Sequence, residues 1–126
     1  MNFNSVFDNM TSAEIKVSEY INQLGLWWQF EQPVFVFDDK QRPRVWTPDF
    51  YIPELGIYIE VKGNRNWNYE FREKVYELNR IPVIFVSIQS QQWKQDLFTG
   101  IHAIHQSRWE KIKHTEKRNF IGGVSF

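Results

Sequence analysis

The chain has 126 residues, no cysteine, and an aromatic content of 17 %, including 6 Trp. This length suits one domain with one hydrophobic core, and we expect that domain to span residues 1–126. The lack of cysteine excludes disulfides and thiolate zinc sites, which suits a reducing cytoplasm. No apolar run approaches the roughly 20 residues of a membrane span, and no signal-peptide pattern opens the chain. We therefore expect a cytoplasmic protein without a membrane partner.

The charges are unevenly distributed although the formal net charge is zero. Residues 1–62 hold five Lys/Arg and nine Asp/Glu, whereas residues 63–126 hold ten Lys/Arg and six Asp/Glu. An acidic half that holds a metal and a basic half that meets phosphate would have this distribution. Ordinary solvated helix faces would have it too, so charge alone leaves both interpretations open.

In chain order the pattern predicts the elements α-β-β-β-α-β-α. A capping box of Thr11 and Glu14 begins the first helix, and Gly25 ends it. The stretch 81–88 is almost wholly apolar, typical of a strand buried on both faces, and the helix before it indicates a parallel crossover. The predicted elements are a helix over residues 11–24, strands over 27–37, 47–52 and 57–62, a helix over 67–79, a strand over 81–88 and a helix over 90–106. A turn is expected over 38–43, and residues 89–126 form a helical, basic C-terminal extension of the core.

Charged residues lie on two of these strands at positions where a strand usually contributes to the interior. Side chains alternate across a strand, so Glu60 and Lys62 share one face of the strand over 57–62. Asp49 lies on the preceding strand. Two carboxylates and one ammonium can then converge on a single patch, which is the chemistry of a divalent-metal site with a lysine beside it.

The signature Pro48-Asp49, ten intervening residues, then Glu60-Val61-Lys62 resembles that of the PD-(D/E)xK nuclease superfamily. The resemblance covers residues 11–88. Over this range the chain is similar to small phage and prokaryotic endonucleases of the Holliday-junction-resolvase and homing-endonuclease kinds. It implies an α/β restriction-endonuclease-like fold, with an αβββαβ core and a mixed sheet flanked by helices. It also implies a Mg²⁺-dependent endodeoxyribonuclease that leaves 5′-phosphate and 3′-hydroxyl ends.

The resemblance implies a role for each matching residue. Asp49 and Glu60 ligate Mg²⁺ or Mn²⁺, with the Val61 carbonyl as a third ligand. Glu14 is the helix carboxylate that reaches the metal, although the capping box alone also explains it. Lys62 orients or activates the attacking water or steadies the phosphate charge. Without a metal, Glu60 and Lys62 would look the same as a solvated salt bridge.

Several further residues are candidates for nucleic-acid contact or for ordinary surface positions. Arg65, Arg72 and Lys74 follow the motif, and they either contact phosphate or lie on a solvated helix face. Glu31 either lines the cleft or caps a sheet edge, and the histidine pair His102 and His105 is expected on a surface or interface. A basic tail forms either a DNA-backbone stripe or a solvated segment; it contains Arg108, Lys111, Lys113, Lys117 and Arg118.

The expected partner is DNA, and cutting both strands would favour a homodimer or a subunit of a larger nuclease complex, in a prokaryotic or phage-infected cell. One alternative is a catalytically silent nucleic-acid-binding module of the same fold. A second alternative is an assembly protein whose charges form salt bridges. An RNA substrate also stays open.

Overall fold

The two motif strands lie at the centre of a four-stranded sheet. The structure is a computed structural model that describes residues 5–63 and 68–121, with side chains described up to residue 114. A 3-10 helix over Val6–Asn9 comes before the first α-helix. The remaining elements are α1 (Ser12–Gln23), β1 (Gln29–Phe30), β2 (Val34–Phe37), β3 (Pro43–Trp46), β4 (Phe50–Ile52), β5 (Ile57–Val61), α2 (Tyr69–Leu78), β6 (Val83–Val86) and α3 (Trp93–Ile121).

Helix α1 begins and ends as the sequence predicts. The Glu14 N–H donates to Thr11 Oγ1 at 3.2 Å, and the Thr11 N–H donates back to Glu14 Oε1 at 2.8 Å. These reciprocal bonds satisfy two backbone donors that a helix start leaves unpaired. Gly25 follows the helix with φ +76, a conformation that glycine adopts without strain.

The sheet is mixed, as expected. Strands β4 and β5 pair antiparallel, with Phe50 opposite Ile59, and β5 pairs parallel with β6, where Ile59 lies opposite Ile84. Helix α2 makes the crossover that joins the parallel strands, as the helix predicted between these two strands indicated. The predicted fold class, an α/β architecture with a mixed sheet flanked by helices, is therefore confirmed.

The single strand predicted over residues 27–37 is wrong. It is two strands in different sheets: β1 pairs with β4, whereas β2 pairs with β3 in a separate hairpin. The break is at Glu31, whose φ is +58, and at Pro33, which has no N–H to give a sheet ladder. Strand β3 was not predicted, and it lies between the turn and the first motif strand.

A buried carboxylate closes the β2–β3 hairpin. Asp38 is only 3 % exposed, and it accepts bonds from the backbone N–H groups of Lys40 and Arg42, both at 2.9 Å. It also pairs with the side chains of Arg42 and Arg44. The Arg42 N–H contributes most to holding the pKa of Asp38 well below its usual range, and burial acts against it. Two of the basic residues in the acidic half are thus used to build a turn.

The sheet separates two groups of side chains. On one face α1 and α3 cover an apolar core, within which Gly100 lets α3 approach Ile84 closely. On the other face the hairpin and α2 cover a second group, the aromatic cluster. The apolar core consists of Val17, Ile21, Phe50, Ile52, Ile59, Val86 and Leu97. The aromatic cluster consists of Val34, Val36, Val75 and Tyr76, with Trp46, Tyr58, Phe71, Ile81, Val83 and Phe85 packed against them.

The helices after the motif depart from the predictions in two respects. The spacing of Phe71, Val75 and Leu78 predicts that they share the buried face of α2. The buried positions are instead Val75 and Tyr76, and Leu78 is 60 % exposed. The predicted helix over 90–106 and the basic tail form one continuous helix, α3. The loop over residues 64–66 and the last residues, 122–126, lie outside the described part of the chain. None of the described helices is long and apolar enough to cross a membrane.

Candidate active site

The predicted site residues meet in one cleft, which we call the carboxylate cleft. It has a volume of about 580 Å³. It opens where the start of α1, the start of β4, the end of β5 and the start of α2 come together. The residues on its wall include Thr11, Glu14, Asp49, Glu60, Lys62 and Tyr69.

Asp49 stands just before β4 and is fixed by the neighbouring strand. The Val61 N–H donates to Asp49 Oδ2 at 2.6 Å, so the backbone of β5 sets the direction of this carboxylate. Burial raises the pKa of Asp49 to about 8, and Glu14, by its hydrogen bond and its charge, and Glu60, by its charge, act in the same direction. The bond from Val61 opposes the shift. In the absence of a cation Asp49 therefore retains a proton near neutral pH, mainly because it is buried.

Glu60 is buried on the second motif strand and forms an ion pair with α2. Arg72 Nη2 lies 2.9 Å from Glu60 Oε1, and the two side chains are 16 % and 8 % exposed. Burial raises the pKa of Glu60, whereas the charge of Arg72 and contacts with Arg72 and the Tyr76 hydroxyl lower it. The other oxygen, Oε2, is buried and accepts no hydrogen bond from the residues that the structure describes.

Lys62 follows Val61 at the cleft wall and rests on aromatic rings. Its Nζ lies 5.6 Å from the centre of the Tyr69 ring and 5.9 Å from that of Phe85, within the range of cation–π contact. The Tyr69 hydroxyl accepts a hydrogen bond from the Gly63 N–H at 2.9 Å. The start of α2 therefore fixes the backbone directly after the motif lysine.

The donor set suits a hard divalent cation. Asp49 retains a proton, and the buried Oε2 of Glu60 accepts no hydrogen bond from the described residues. A positive ion between the two carboxylates would stabilise both of them in the ionised form. In the part of the chain that is described, no three His, Asp or Glu side chains are already grouped to hold a metal. Mg²⁺ keeps several waters and needs only one or two protein carboxylates beside substrate phosphate, so Asp49 and Glu60 would be sufficient.

The structure does not bring all the predicted contact residues to the cleft. Arg72 lies neither on a solvated face nor open to phosphate, because it is enclosed against Glu60. Lys74 is exposed on α2, and Arg65 lies outside the described residues. Glu31 is exposed and reaches the site only through its N–H, which donates to the Asp49 carbonyl at 2.9 Å.

Among the C-terminal basic residues whose side chains are described, Arg108 and Lys111 line one pocket together with Arg80. Arg108 donates to the carbonyls of Leu55 and Gly56, so it supports the turn between the motif strands instead of facing DNA. Lys111 and Lys113 are exposed. The side chains of Lys117 and Arg118 lie outside the described residues. Of the histidine pair, both are exposed, and His102 stacks on Phe98.

Three residues of the site were not predicted: Arg72 in its pairing role, Tyr69 and Tyr76. The Tyr76 hydroxyl accepts a hydrogen bond from Arg72 Nη2. Burial and the nearby charge of Glu60 raise the pKa of Tyr76 to about 12. The only sequence signal for them is their place on the helix after the motif, which borders the cleft. Their place on that helix does not predict which of its side chains point toward the sheet.

Comparison with known proteins yields one distant likeness in fold. The chain is similar to a solved structure of "The 5-Hydroxymethylcytosine-Specific Restriction Enzyme AbaSI", with 16 % sequence identity and a TM-score of 0.47. The likeness covers 92 % of this chain and 46 % of that chain, so this chain spans about half of its length. No protein-family model matches the chain, and no curated protein matches it. A likeness of this size assigns no function.

Proposed function

We propose that this protein is a Mg²⁺-dependent endodeoxyribonuclease of the PD-(D/E)xK type. The observation that carries the proposal is the convergence of Glu14, Asp49, Glu60 and Lys62 on the carboxylate cleft. These residues come from α1, from the residue before β4, and from the end of β5. Charged groups from three separate places in a chain rarely gather in one half-buried cleft without a chemical role.

Each residue has a part in phosphodiester hydrolysis. Asp49 and Glu60 would hold the cation, and the Val61 carbonyl and Glu14 would complete its protein contacts. When bound, Mg²⁺ lowers the pKa of its water and offsets charge on the phosphate in the transition state. Lys62, set on its aromatic rings beside the carboxylates, orients the attacking water or stabilises the phosphate oxygens. Hydrolysis on this pattern leaves 5′-phosphate and 3′-hydroxyl ends.

The proposed substrate is DNA, and Lys74, which is exposed on α2, would contact its backbone together with Arg65. Phosphate contacts of this kind set the register of the nucleic acid and weaken as salt rises. One chain carries one such site and cuts one strand. A homodimer, or a subunit within a larger nuclease complex, would be needed to cut both strands of a duplex or junction.

A cleavage assay tests the proposal directly. Supercoiled plasmid, linear duplex, single strand and a four-way junction are incubated with Mg²⁺, Mn²⁺ or EDTA. We expect metal-dependent cutting that Asp49→Ala and Glu60→Ala lower by about 10²-fold or more, with DNA binding retained. Asp39→Ala is the matched control, because this aspartate is exposed in the β2–β3 turn.

Two results would redirect the assignment. If no metal supports cutting while DNA still binds, the chain is the catalytically silent binding module, and the Arg72–Glu60 ion pair is the observation that favours that alternative. If the Asp49 and Glu60 variants fold but lose DNA binding along with cutting, these residues bind DNA rather than metal. Lys62→Ala should slow cutting and leave metal binding in place, with exposed Lys16→Ala as its control.

A further inference from the structure

The two oxygens of the buried Glu60 carboxylate have different surroundings. Oε1 lies 2.9 Å from Arg72 Nη2. Oε2 is buried, yet it accepts no hydrogen bond from the described residues. Leaving a carboxylate oxygen in this state is costly in a protein interior. One oxygen is therefore held by the protein, and the other retains its capacity to bind a further positive group.

Arg72 is itself held in place by the aromatic cluster. The centre of its guanidinium lies 4.6 Å from the centre of the Trp46 ring, and Nη2 also lies 3.1 Å from the Tyr76 hydroxyl. A planar guanidinium that stacks on one ring and bonds at its edge has little freedom to turn. Trp46 ends the four-residue strand β3, so the hairpin and α2 together fix the direction of the charge.

We propose that Arg72 is a positioning residue for the metal ligand Glu60, holding Oε1 so that Oε2 is presented to a divalent cation in the carboxylate cleft. This inference rests on the proposed function. Ligating carboxylates are commonly oriented by hydrogen-bond partners outside the metal's own ligand set, and removing such a partner costs about 10–100-fold in metal affinity. The role differs from phosphate contact, because Arg72 is too enclosed to face a substrate.

The sign of the effect separates positioning from simple electrostatics. Arg72 is positive and lies beside the cation site, so, with Glu60 ionised in both proteins, charge repulsion alone predicts that its removal strengthens cation binding. Positioning predicts the opposite, because Glu60 loses its fixed direction. A neutral replacement that keeps the length of the side chain therefore distinguishes the two effects.

The experiment measures Mn²⁺ binding to the full chain by calorimetry and by the electron paramagnetic resonance of the bound ion, without DNA. We expect Arg72→Met to raise the Kd for Mn²⁺ by about 10–100-fold. Arg72→Lys should lie between Arg72→Met and the wild type, because an ammonium keeps the charge but lacks the planar fork. Lys16→Met removes a positive charge from the exposed side of α1, the helix of Glu14, and should bind as the wild type does.

Each outcome has a defined meaning. A folded Arg72→Met that binds Mn²⁺ as tightly as the wild type, or more tightly, overturns the inference, and so does an equal loss in Lys16→Met. If Arg72→Met does not fold, Arg72→Lys decides: weaker binding supports positioning, and equal or tighter binding overturns it. A wild-type protein that binds no Mn²⁺ counts against the proposed function itself, a result that is visible before any variant is compared.

Discussion

The two faces of the central sheet are built to different rules. On the α1–α3 face the apolar core contains only hydrophobic side chains, each at most 3 % exposed. On the α2–hairpin face the aromatic cluster surrounds the ion pair of Glu60 and Arg72. Apolar burial stabilises a fold directly, whereas a buried ion pair recovers little more than its desolvation penalty. The apolar core therefore contributes more to stability, whereas the ion pair on the other face fixes the positions of two charged side chains.

The largest expected effect is on the apolar face. Phe50 is fully buried and packs edge-on against Trp28, with ring centres 5.3 Å apart. Phe50→Ala should lower the free energy of unfolding by about 3–5 kcal/mol, through lost burial and the cavity left behind. Urea denaturation measures it. Phe35→Ala is the control, because Phe35 is 80 % exposed on the hairpin and should change stability by less than about 0.5 kcal/mol.

The next prediction breaks the ion pair on the other face. Arg72→Met should cost about 3 kcal/mol, because it leaves Glu60 charged and buried without its partner. Adding Glu60→Leu should recover most of that loss, since an apolar pair of similar volume avoids the desolvation penalty. A double-mutant cycle in urea gives the coupling energy. If the double variant is no more stable than Arg72→Met, the desolvation of these two charges does not limit the stability of this face.

The carboxylates of the cleft predict a smaller, pH-dependent effect. The pKa of Asp49 is about 8 in the folded protein, above the ordinary 3.8, so the folded state holds a proton that the unfolded state releases. The stability linked to this group is full below about pH 4 and is lost as pH rises through 8. Without metal, wild type should therefore be less stable at pH 9 than at pH 6, by about 2 kcal/mol.

Thermal unfolding in EDTA from pH 5 to 9 tests this prediction. Asp49→Asn has no titrating group at that position, so its stability should fall much less over the range, leaving only the contribution of Glu60, whose pKa is also raised. Asp39→Asn, at an exposed position, should keep the wild-type pH dependence. A wild-type stability that rises between pH 6 and 9 would contradict the raised pKa.

The features that the sequence predicted depend on neighbours close in the chain. The capping box of Thr11 and Glu14 spans three residues, and strand alternation places Glu60 and Lys62 on one face whatever packs against them. The parallel pairing of β5 and β6 follows from an apolar strand after a helix. Local rules were therefore sufficient for the mixed sheet, and the grouping of the motif carboxylates agrees with them.

The features that were missed depend on contacts between distant segments. Whether Arg72 or Leu78 turns inward is set by how α2 sits on the sheet, which spacing along the helix does not determine. The division of residues 27–37 depends on which partner each half finds, β4 for one and β3 for the other. Tertiary packing overrides single-segment periodicity at such positions.

The smallest expected effect is at the start of α1, where the apolar core and the carboxylate cleft meet. Thr11 lines the carboxylate cleft and caps the helix that carries Val17 into the apolar core. Thr11→Ala removes the acceptor for the Glu14 N–H and should cost about 1 kcal/mol in urea denaturation, whereas Thr11→Ser keeps the hydroxyl and should cost less. Because Glu14 Oε1 also bonds the Thr11 N–H, loss of the cap loosens this carboxylate, so Thr11→Ala should weaken Mn²⁺ binding slightly and Thr11→Ser should not. If both variants bind Mn²⁺ as the wild type does while only Thr11→Ala is destabilised, Glu14 serves the helix and not the metal.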